Sequence, residues 1–230
     1  MPKKGNAKEE YEDSFFPKEP VDEELELFRC AVADGATETS FAKSWADILV
    51  QDFVEERSLT ESRQKWSESI SGRQLAWYAE QKANQGAFAA LAGLIVHTHN
   101  RFEMCCAGDS CVIHARNEEI LLTFPKTKAD EFDNRPVLLC SKASGEGEVE
   151  IKTRQGEYQA GDQFWLLTDA VARWTLTVAE KGENPLDKLS SLTGDDLFTT
   201  WVSEQRDLPG SDGRPLLVND DLTIFRLQIN

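Results

Sequence analysis

The stretch that decides the fold of this chain reads Leu27-Phe-Arg-Cys-Ala-Val-Ala-Asp34-Gly35. Up to Ala33 it is short, largely apolar and rich in residues that favour strands, which is typical of a buried β-strand. The Asp-Gly pair that follows is a turn signal. The pattern therefore predicts a buried strand that ends in a turn and carries a carboxylate at its edge.

Aspartates stand at the edges of three other apolar segments. Asp169 follows Trp-Leu-Leu-Thr, Asp220 precedes Asp-Leu-Thr-Ile-Phe, and Asp13 lies in Tyr-Glu-Asp-Ser-Phe-Phe. Converging carboxylates repel one another unless some take up protons, and a divalent cation that prefers oxygen ligands relieves this repulsion. A single aspartate in such a place is more often a turn residue. Spacing alone leaves open whether the four side chains meet.

Length and composition limit the class of protein. The 230 residues suit one domain spanning 1–230, with a polar start that predicts a loose tail over residues 1–7. The net charge of −16 disfavours nucleic acid and anionic membranes as partners. The chain lacks an apolar run of about 18 residues and a Cys-x-x-Cys pair. We therefore expect a cytoplasmic protein with reduced cysteines, and a monomer rather than an oligomer.

Periodicity outlines the remaining elements. Phe41, Trp45, Ile48, Leu49 and Phe53 predict a helix that Thr39 or Ser40 caps. A second helix is expected over 61–84, with Trp66, Ile70 and Trp77 on its inner face, whereas 87–96 fits a helix or a strand. Segments 101–107, 111–115 and 119–124 are spaced like an antiparallel meander. Further on, the pattern predicts a strand at 163–168, helices over 170–181, 185–192 and 195–206, and a last strand at 222–229. Strands and helices segregate, which favours an α+β fold.

A series of short blocks, in order along nearly the whole chain, resembles the signature of the protein phosphatase 2C family. The blocks are Glu12-Asp13, Val32-Ala-Asp34-Gly35, Ala107-Gly-Asp109-Ser110, Thr168-Asp169-Ala170 and Asp220-Asp221-Leu-Thr-Ile. The chain is similar to a compact, bacterial-like member. The resemblance implies a four-layer αββα sandwich of two mostly antiparallel β-sheets flanked by helices. It also implies hydrolysis of phosphoserine and phosphothreonine in a phosphorylated protein substrate, with two divalent cations, Mn²⁺ or Mg²⁺.

The resemblance also implies roles for single residues. Asp34 would bridge both metals, with the carbonyl oxygen of Gly35 as a further ligand, and Asp169 and Asp220 would complete one site. Glu12 would act on the other metal through water, and Asp13 would bind at the centre and orient or activate the water that attacks phosphorus. Lys8 stands where many members carry a phosphate-binding arginine. Asp109 and Asp221 would support the ligands from outside, without contacting the metals.

Three departures from the family pattern keep alternatives open. Ala36 and Thr37 follow Asp34-Gly35 where members often carry a general-acid histidine, Ala170 replaces a glycine, and Arg173 replaces an aspartate that helps bind a third metal. One alternative is a catalytically weak protein of the same fold that binds a phosphoprotein or another partner. Another is an acidic metal-binding module without phosphatase activity.

Overall fold

The computed structural model describes residues 1–21, 26–36, 41–74, 77–132, 136–143, 149–210, 213 and 215–230. The strands in these ranges are β1 (Ser14–Phe16), β2 (Leu27–Gly35), β3 (Phe88–His97), β4 (Arg101–Ala107), β5 (Cys111–Arg116), β6 (Glu119–Phe124), β7 (Leu139–Cys140), β8 (Lys152–Glu157), β9 (Gln163–Leu167) and β10 (Ile224–Gln228). The helices are α1 (Ala42–Val54), α2 (Leu59–Ser71), α3 (Trp77–Gln85), α4 (Asp169–Glu180), α5 (Pro185–Ser190) and α6 (Asp195–Asp207).

The strands form two antiparallel sheets. The first has the order β1-β2-β3-β4-β8, with β7 also paired to β3, and the second has the order β10-β9-β5-β6. The predicted strand at the start of the chain is β2, a central strand of the first sheet.

Alternation along β2 explains how the first sheet is covered. Ala31 and Ala33 belong to an apolar cluster with Trp45 of α1, whereas Cys30 and Val32 belong to a second cluster that includes residues of the other sheet. Successive side chains of a strand point to opposite faces, so one face of β2 packs on helices and the other on the second sheet.

The second sheet repeats this arrangement on its own strands. Phe164 and Leu166 of β9 face the first sheet, and Trp165 and Leu167 pack in a cluster with Trp201 of α6 and with α4 and α5. The layers are therefore helix, sheet, sheet and helix, and the predicted α+β sandwich of two antiparallel sheets is confirmed.

The predicted meander is wrong. β4 pairs with β3 and β8 in the first sheet, whereas β5 pairs with β6 and β9 in the second. The chain changes sheet at Gly108, which has φ +84°. A Cβ on Gly108 would lie 2.7 Å from the Cβ of Ala90, so this crossing requires glycine.

The helix expected over 61–84 is divided. α2 is capped by Ser58 and ends at Ser71, and α3 begins at Trp77. Trp77 is 77% exposed, so it does not lie on an inner face as expected. The ambiguous segment 87–96 is a strand, because β3 has paired neighbours on both sides that satisfy its backbone. The predicted caps Thr39 and Ser40 lie outside the described residues.

The first residues of the chain are bound rather than loose. The amide of Leu222 donates to the carbonyl oxygen of Met1 over 2.8 Å, and the amide of Lys4 donates to Asn219 Oδ1 over 2.7 Å. These bonds hold residues 1–4 against residues 219–222, which corrects the expectation of a free tail. In the described ranges, no helix is both long and apolar enough to cross a membrane.

Candidate metal centre

Asp13 and Asp34 lie opposite each other at one edge of the first sheet. β1 and β2 are antiparallel, with Ser14 paired to Ala33. One step further along this register places Asp13 opposite Asp34. Asp13 is fully buried, and Asp34 is partly exposed.

The second sheet brings further carboxylates to the same region. Cys111 at the start of β5 pairs with Leu167 at the end of the antiparallel strand β9, so Asp109, just before β5, and Asp169, just after β9, lie at the same end of the two strands. Asp169 is the first residue of α4, where the helix dipole favours negative charge. Asp220 lies before β10, which pairs with β9 on its other side.

The charges of these side chains act on one another. Burial raises the pKa of Asp34 well above its ordinary value, and the neighbouring carboxylates of Asp13, Asp169, Asp220 and Asp109 raise it further. Burial raises the pKa of Asp169 to about 8, again with contributions from Asp109, Asp220 and Asp13. The fold therefore brings five acidic side chains into a common electrostatic field, and in the absence of a cation their charges oppose one another.

Asp13 is held by hydroxyl groups. Burial raises its pKa to about 7, a hydrogen bond from Thr223 opposes this rise, the charge of Asp221 adds to it, and a hydrogen bond from Thr168 opposes it again. Thr223 Oγ1 donates to Asp13 Oδ2 over 2.8 Å, and the phenol of Tyr11 is in short hydrogen-bonding contact with the same Oγ1. The second oxygen, Asp13 Oδ1, is buried without a hydrogen-bond partner among the described residues.

This donor set fits a hard divalent cation. All the converging groups are carboxylates, the ligands that Mg²⁺ and Mn²⁺ prefer, and the buried Asp13 Oδ1 lacks the partner that such an oxygen ordinarily has. As placed in the described ranges, no three His, Cys, Asp or Glu side chains form a ready metal cage. The carboxylates act on one another through their charges without forming such a cage, and their assignment to metals stays a prediction.

Gly35 is required by close packing beside Asp34. A Cβ on Gly35 would lie 2.9 Å from the carbonyl oxygen of Glu12 and 3.1 Å from the Cβ of Ala42. The Asp-Gly pair therefore lets the segment carrying Glu12 and Asp13 approach β2 and the start of α1.

Asp221 binds backbone rather than pointing to open solvent. Its carboxylate is buried and accepts hydrogen bonds from the amide of Glu12 at 2.6 Å and the amide of Lys3 at 2.8 Å. Asp221 thus fixes the backbone of Glu12 next to Asp13, and its role in supporting the metal ligands stays a prediction.

Lys8 is the predicted site residue that the structure leaves apart. It lies exposed on a short 3-10 turn, Lys8–Glu10, where its carbonyl oxygen accepts the amide of Tyr11, and within the described ranges its ammonium makes no hydrogen bond or ion pair. It lines a cleft of about 600 Å³ together with Tyr11 and Thr223. Lys8 therefore shares a cleft with two of the residues whose hydroxyl groups lie at Asp13, and its role as a phosphate contact stays a prediction.

Sequence reasoning missed the hydroxyl groups around Asp13. Thr168 and Thr223 both lie inside the blocks that carry the family resemblance, and the amide of Thr223 donates to Thr168 Oγ1 over 3.0 Å. Their place in the blocks was a usable signal. The role of Tyr11 had no such signal, because it depends on β10 lying beside the start of the chain.

Comparison with known proteins assigns the chain to a family. It matches the protein phosphatase 2C family over residues 8–207. Among solved structures it is similar to the Mycobacterium tuberculosis serine/threonine phosphatase PstP/Ppp, with 15% identity, a TM-score of 0.60 and coverage of 98% of this chain and 95% of that one. The S. agalactiae serine/threonine phosphatase gives 13% identity, a TM-score of 0.55 and coverage of 98% and 96%.

The catalytic domain of PstP in complex with two manganese ions gives 16% identity, a TM-score of 0.51 and coverage of 84% and 82%. None of the curated proteins matches the chain. The structural likenesses show the fold, and the family match extends over most of the sequence. The chain therefore belongs to the protein phosphatase 2C family.

Proposed function

We propose that this protein hydrolyses phosphoserine and phosphothreonine monoesters of proteins at a centre of two divalent cations, Mn²⁺ or Mg²⁺. The observation that carries the proposal is the shared electrostatic field of Asp13, Asp34, Asp169 and Asp220, which come from both sheets. Membership of a phosphatase family supports the same activity.

The proposed ligands follow the family pattern on the residues present. Asp34 and the carbonyl oxygen of Gly35 would hold both cations. Asp169 and Asp220 would hold one of them, and Glu12 would act on the other through water. When bound, two such cations draw charge from the phosphoryl oxygens and make water more acidic.

Asp13 has the chemistry of the residue that orients the attacking water. Its Oδ2 is anchored by Thr223, which leaves the unpartnered Oδ1 to accept a hydrogen bond. The water loses a proton to solvent as its oxygen bonds to phosphorus, and the bond from phosphorus to the serine or threonine oxygen breaks. Ala36 stands where a general-acid histidine is often found, so we assign protonation of the leaving oxygen to solvent.

Lys8 is the proposed phosphate contact. Its exposed ammonium, free of ion pairs among the described residues, provides a positive charge at the wall of the cleft that reaches Thr223. A lysine acts there as a point charge and lacks the two-pronged geometry of arginine.

The surroundings of the proposed reaction follow from charge and cysteine chemistry. The net charge of −16 supports a protein substrate over nucleic acid. All five cysteines are unpaired, which supports a reducing compartment such as the cytoplasm. We propose that the protein acts there as a monomer.

The test is phosphate release from a phosphothreonine peptide and from p-nitrophenyl phosphate, with Mn²⁺ and then with excess chelator. We expect release only with metal, and none from Asp34→Ala. The matched control is Asp130→Asn, which changes an exposed carboxylate and should behave like the wild type. A folded wild type that releases no phosphate with Mn²⁺, or as much with chelator, would contradict the proposal.

A second candidate function is a catalytically weak protein that binds a phosphoprotein without turning it over. The ammonium of Lys3 lies 2.9 Å from Asp220 Oδ1, so a proposed metal ligand already has a cationic partner. Anisotropy of a labelled phosphopeptide distinguishes the two candidates. Binding that requires the phosphate but gives no release with Mn²⁺ supports the second candidate.

A further inference from the structure

Lys3 places a positive charge on the carboxylate cluster. Its Nζ lies 2.9 Å from Asp220 Oδ1, and the side chains of Lys3 and Asp220 are only 21% and 31% exposed. The same oxygen accepts the amide of Asp221 over 2.8 Å. Asp220 Oδ1 is therefore in contact with two donors, and one of them is an ammonium group.

The backbone keeps Lys3 in this place. Its amide donates to Asp221 Oδ1, while Asp221 Oδ2 accepts the amide of Glu12. Hydrogen bonds from Lys4 to Asn219 and from Leu222 to Met1 fix the residues on either side. The ammonium can swing on its side chain, but the main chain holds it next to the centre.

We propose that Lys3 is an internal counter-ion of the carboxylate cluster and sets the affinity of the centre by competing with a divalent cation for Asp220. This inference rests on the proposed function, because it needs a cation centre that includes Asp220. In the metal-free protein Lys3 neutralises part of the cluster. When a cation binds, the ammonium has to withdraw or to tolerate a like charge nearby.

Two opposing effects decide the sign of a substitution at Lys3. When the ammonium of Lys3 is removed, the Asp220 side chain loses a partner that orients it and gains rotamer freedom. This effect weakens cation binding. The substitution also removes the electrostatic repulsion between the ammonium and a divalent ion. This repulsion is twice as strong as that between two unit charges, and solvent does not screen it strongly at a half-buried site. The second effect is the larger, so we expect binding to tighten by about tenfold.

The experiment compares four full-length proteins with a C-terminal tag, which leaves the first residues in place. These are the wild type, Lys3→Met with similar length and no charge, Lys3→Arg with the charge kept, and Lys4→Met. Lys4 is the matched control, because it is an exposed neighbour whose ammonium is 3.9 Å from the exposed Asp207. Mn²⁺ affinity is measured by calorimetric titration at fixed ionic strength, and the melting temperature is measured in chelator.

We expect Lys3→Met to bind Mn²⁺ about tenfold more tightly and to melt at a lower temperature without metal, because the cluster has lost its counter-ion. Lys3→Arg and Lys4→Met should resemble the wild type. Unchanged or weaker Mn²⁺ binding by Lys3→Met, with the wild type binding normally, overturns this inference alone. A wild type that binds no Mn²⁺ overturns the proposed centre, and the inference with it.

Discussion

Thr223 Oγ1 donates a 2.8 Å hydrogen bond to Asp13 Oδ2, and both residues are buried. Thr223→Val keeps the shape of the side chain and removes the donor. We expect activity with Mn²⁺ to fall by about 10–100-fold, because a support of a proposed site carboxylate is lost. The free energy of unfolding should fall by about 1–3 kcal/mol, since Asp13 Oδ2 loses its partner.

Steady-state rates and urea unfolding check this prediction. Thr98→Val is the control, because Thr98 is exposed and lies in the turn between β3 and β4. If Thr223→Val kept wild-type activity and stability, the hydroxyl would have no part in holding Asp13.

The metal-free protein should lose stability as the pH rises. The pKa of Asp13 is raised to about 7 and that of Asp169 to about 8 in the folded chain, whereas an unfolded aspartate titrates at about 4. Between these values the folded state holds protons that the unfolded state has released, so the free energy of unfolding falls with increasing pH.

Melting temperatures in chelator from pH 5 to pH 8.5 test this sign. We expect a decrease of several degrees, about what one or two kcal/mol produces in a chain of this size. Asp34→Asn removes one charge from the cluster, so its melting temperature should change less with pH. Mn²⁺ should raise the melting temperature of the wild type most at the alkaline end of the range. A melting temperature that rises steadily across this range would contradict the prediction.

Gly35→Ala should disturb the candidate metal centre by displacing the backbone that packs beside it. The added Cβ would lie 2.9 Å from the carbonyl oxygen of Glu12 and 3.1 Å from Ala42, so the segment that carries Asp13 has to move away. We expect the free energy of unfolding to fall by about 1–3 kcal/mol. The Mn²⁺ affinity should fall by a larger fraction than the free energy of unfolding. Gly72→Ala is the control, because a Cβ there has no neighbour within 4 Å. Equal effects of the two substitutions would count against the proposed close approach.

Acid stability should depend on a buried carboxylate away from the centre. Burial raises the pKa of Asp162, but hydrogen bonds from Arg116 and His114 outweigh burial and lower it to about 2. The contacts are 2.6 Å from Arg116 Nε and 2.7 Å from His114 Nε2. A lowered pKa adds stability that is present above about pH 4 and is lost as the pH falls towards 2.

Arg116→Gln should therefore raise the pH midpoint of acid unfolding and cost about 1–3 kcal/mol near neutral pH. Tryptophan fluorescence follows the transition. Mn²⁺ affinity should not change, because Asp162 and the proposed ligand Asp169 lie at opposite ends of β9. A variant with an unchanged acid midpoint would show that Asp162 does not depend on Arg116.

The apolar strands and the helices after residue 169 were predictable from the sequence, because their hydrophobic patterns are local. The strand β8 was not, since Lys152–Glu157 is polar and mostly exposed. Pairing with β4 satisfies the backbone hydrogen bonds of β8, and its side chains show no apolar pattern from which a strand could be predicted. The predicted meander failed at Gly108, because turn signals give the position of a reversal and not the sheet that the next strand joins.

The acidic residues of the candidate site were predicted from block order, but the sequence could not show that carboxylates from two different sheets act on one another. The ion pair of Lys3 with Asp220 was beyond sequence reasoning, because the two residues are at opposite ends of the chain and a polar start predicts a loose tail. Lys8 is the opposite case. Its position in the family pattern predicts a phosphate contact, and the fold of the chain does not test this prediction.

The most direct measurement is the anomalous diffraction of crystals soaked in Mn²⁺. Two peaks on either side of the Asp34 carboxylate, one of them next to Asp169 and Asp220, are the predicted result. Crystals of Asp34→Asn grown in the same way should lose both peaks. Wild-type crystals without a peak beside Asp34, or with manganese bound only elsewhere, would contradict the proposed two-cation centre.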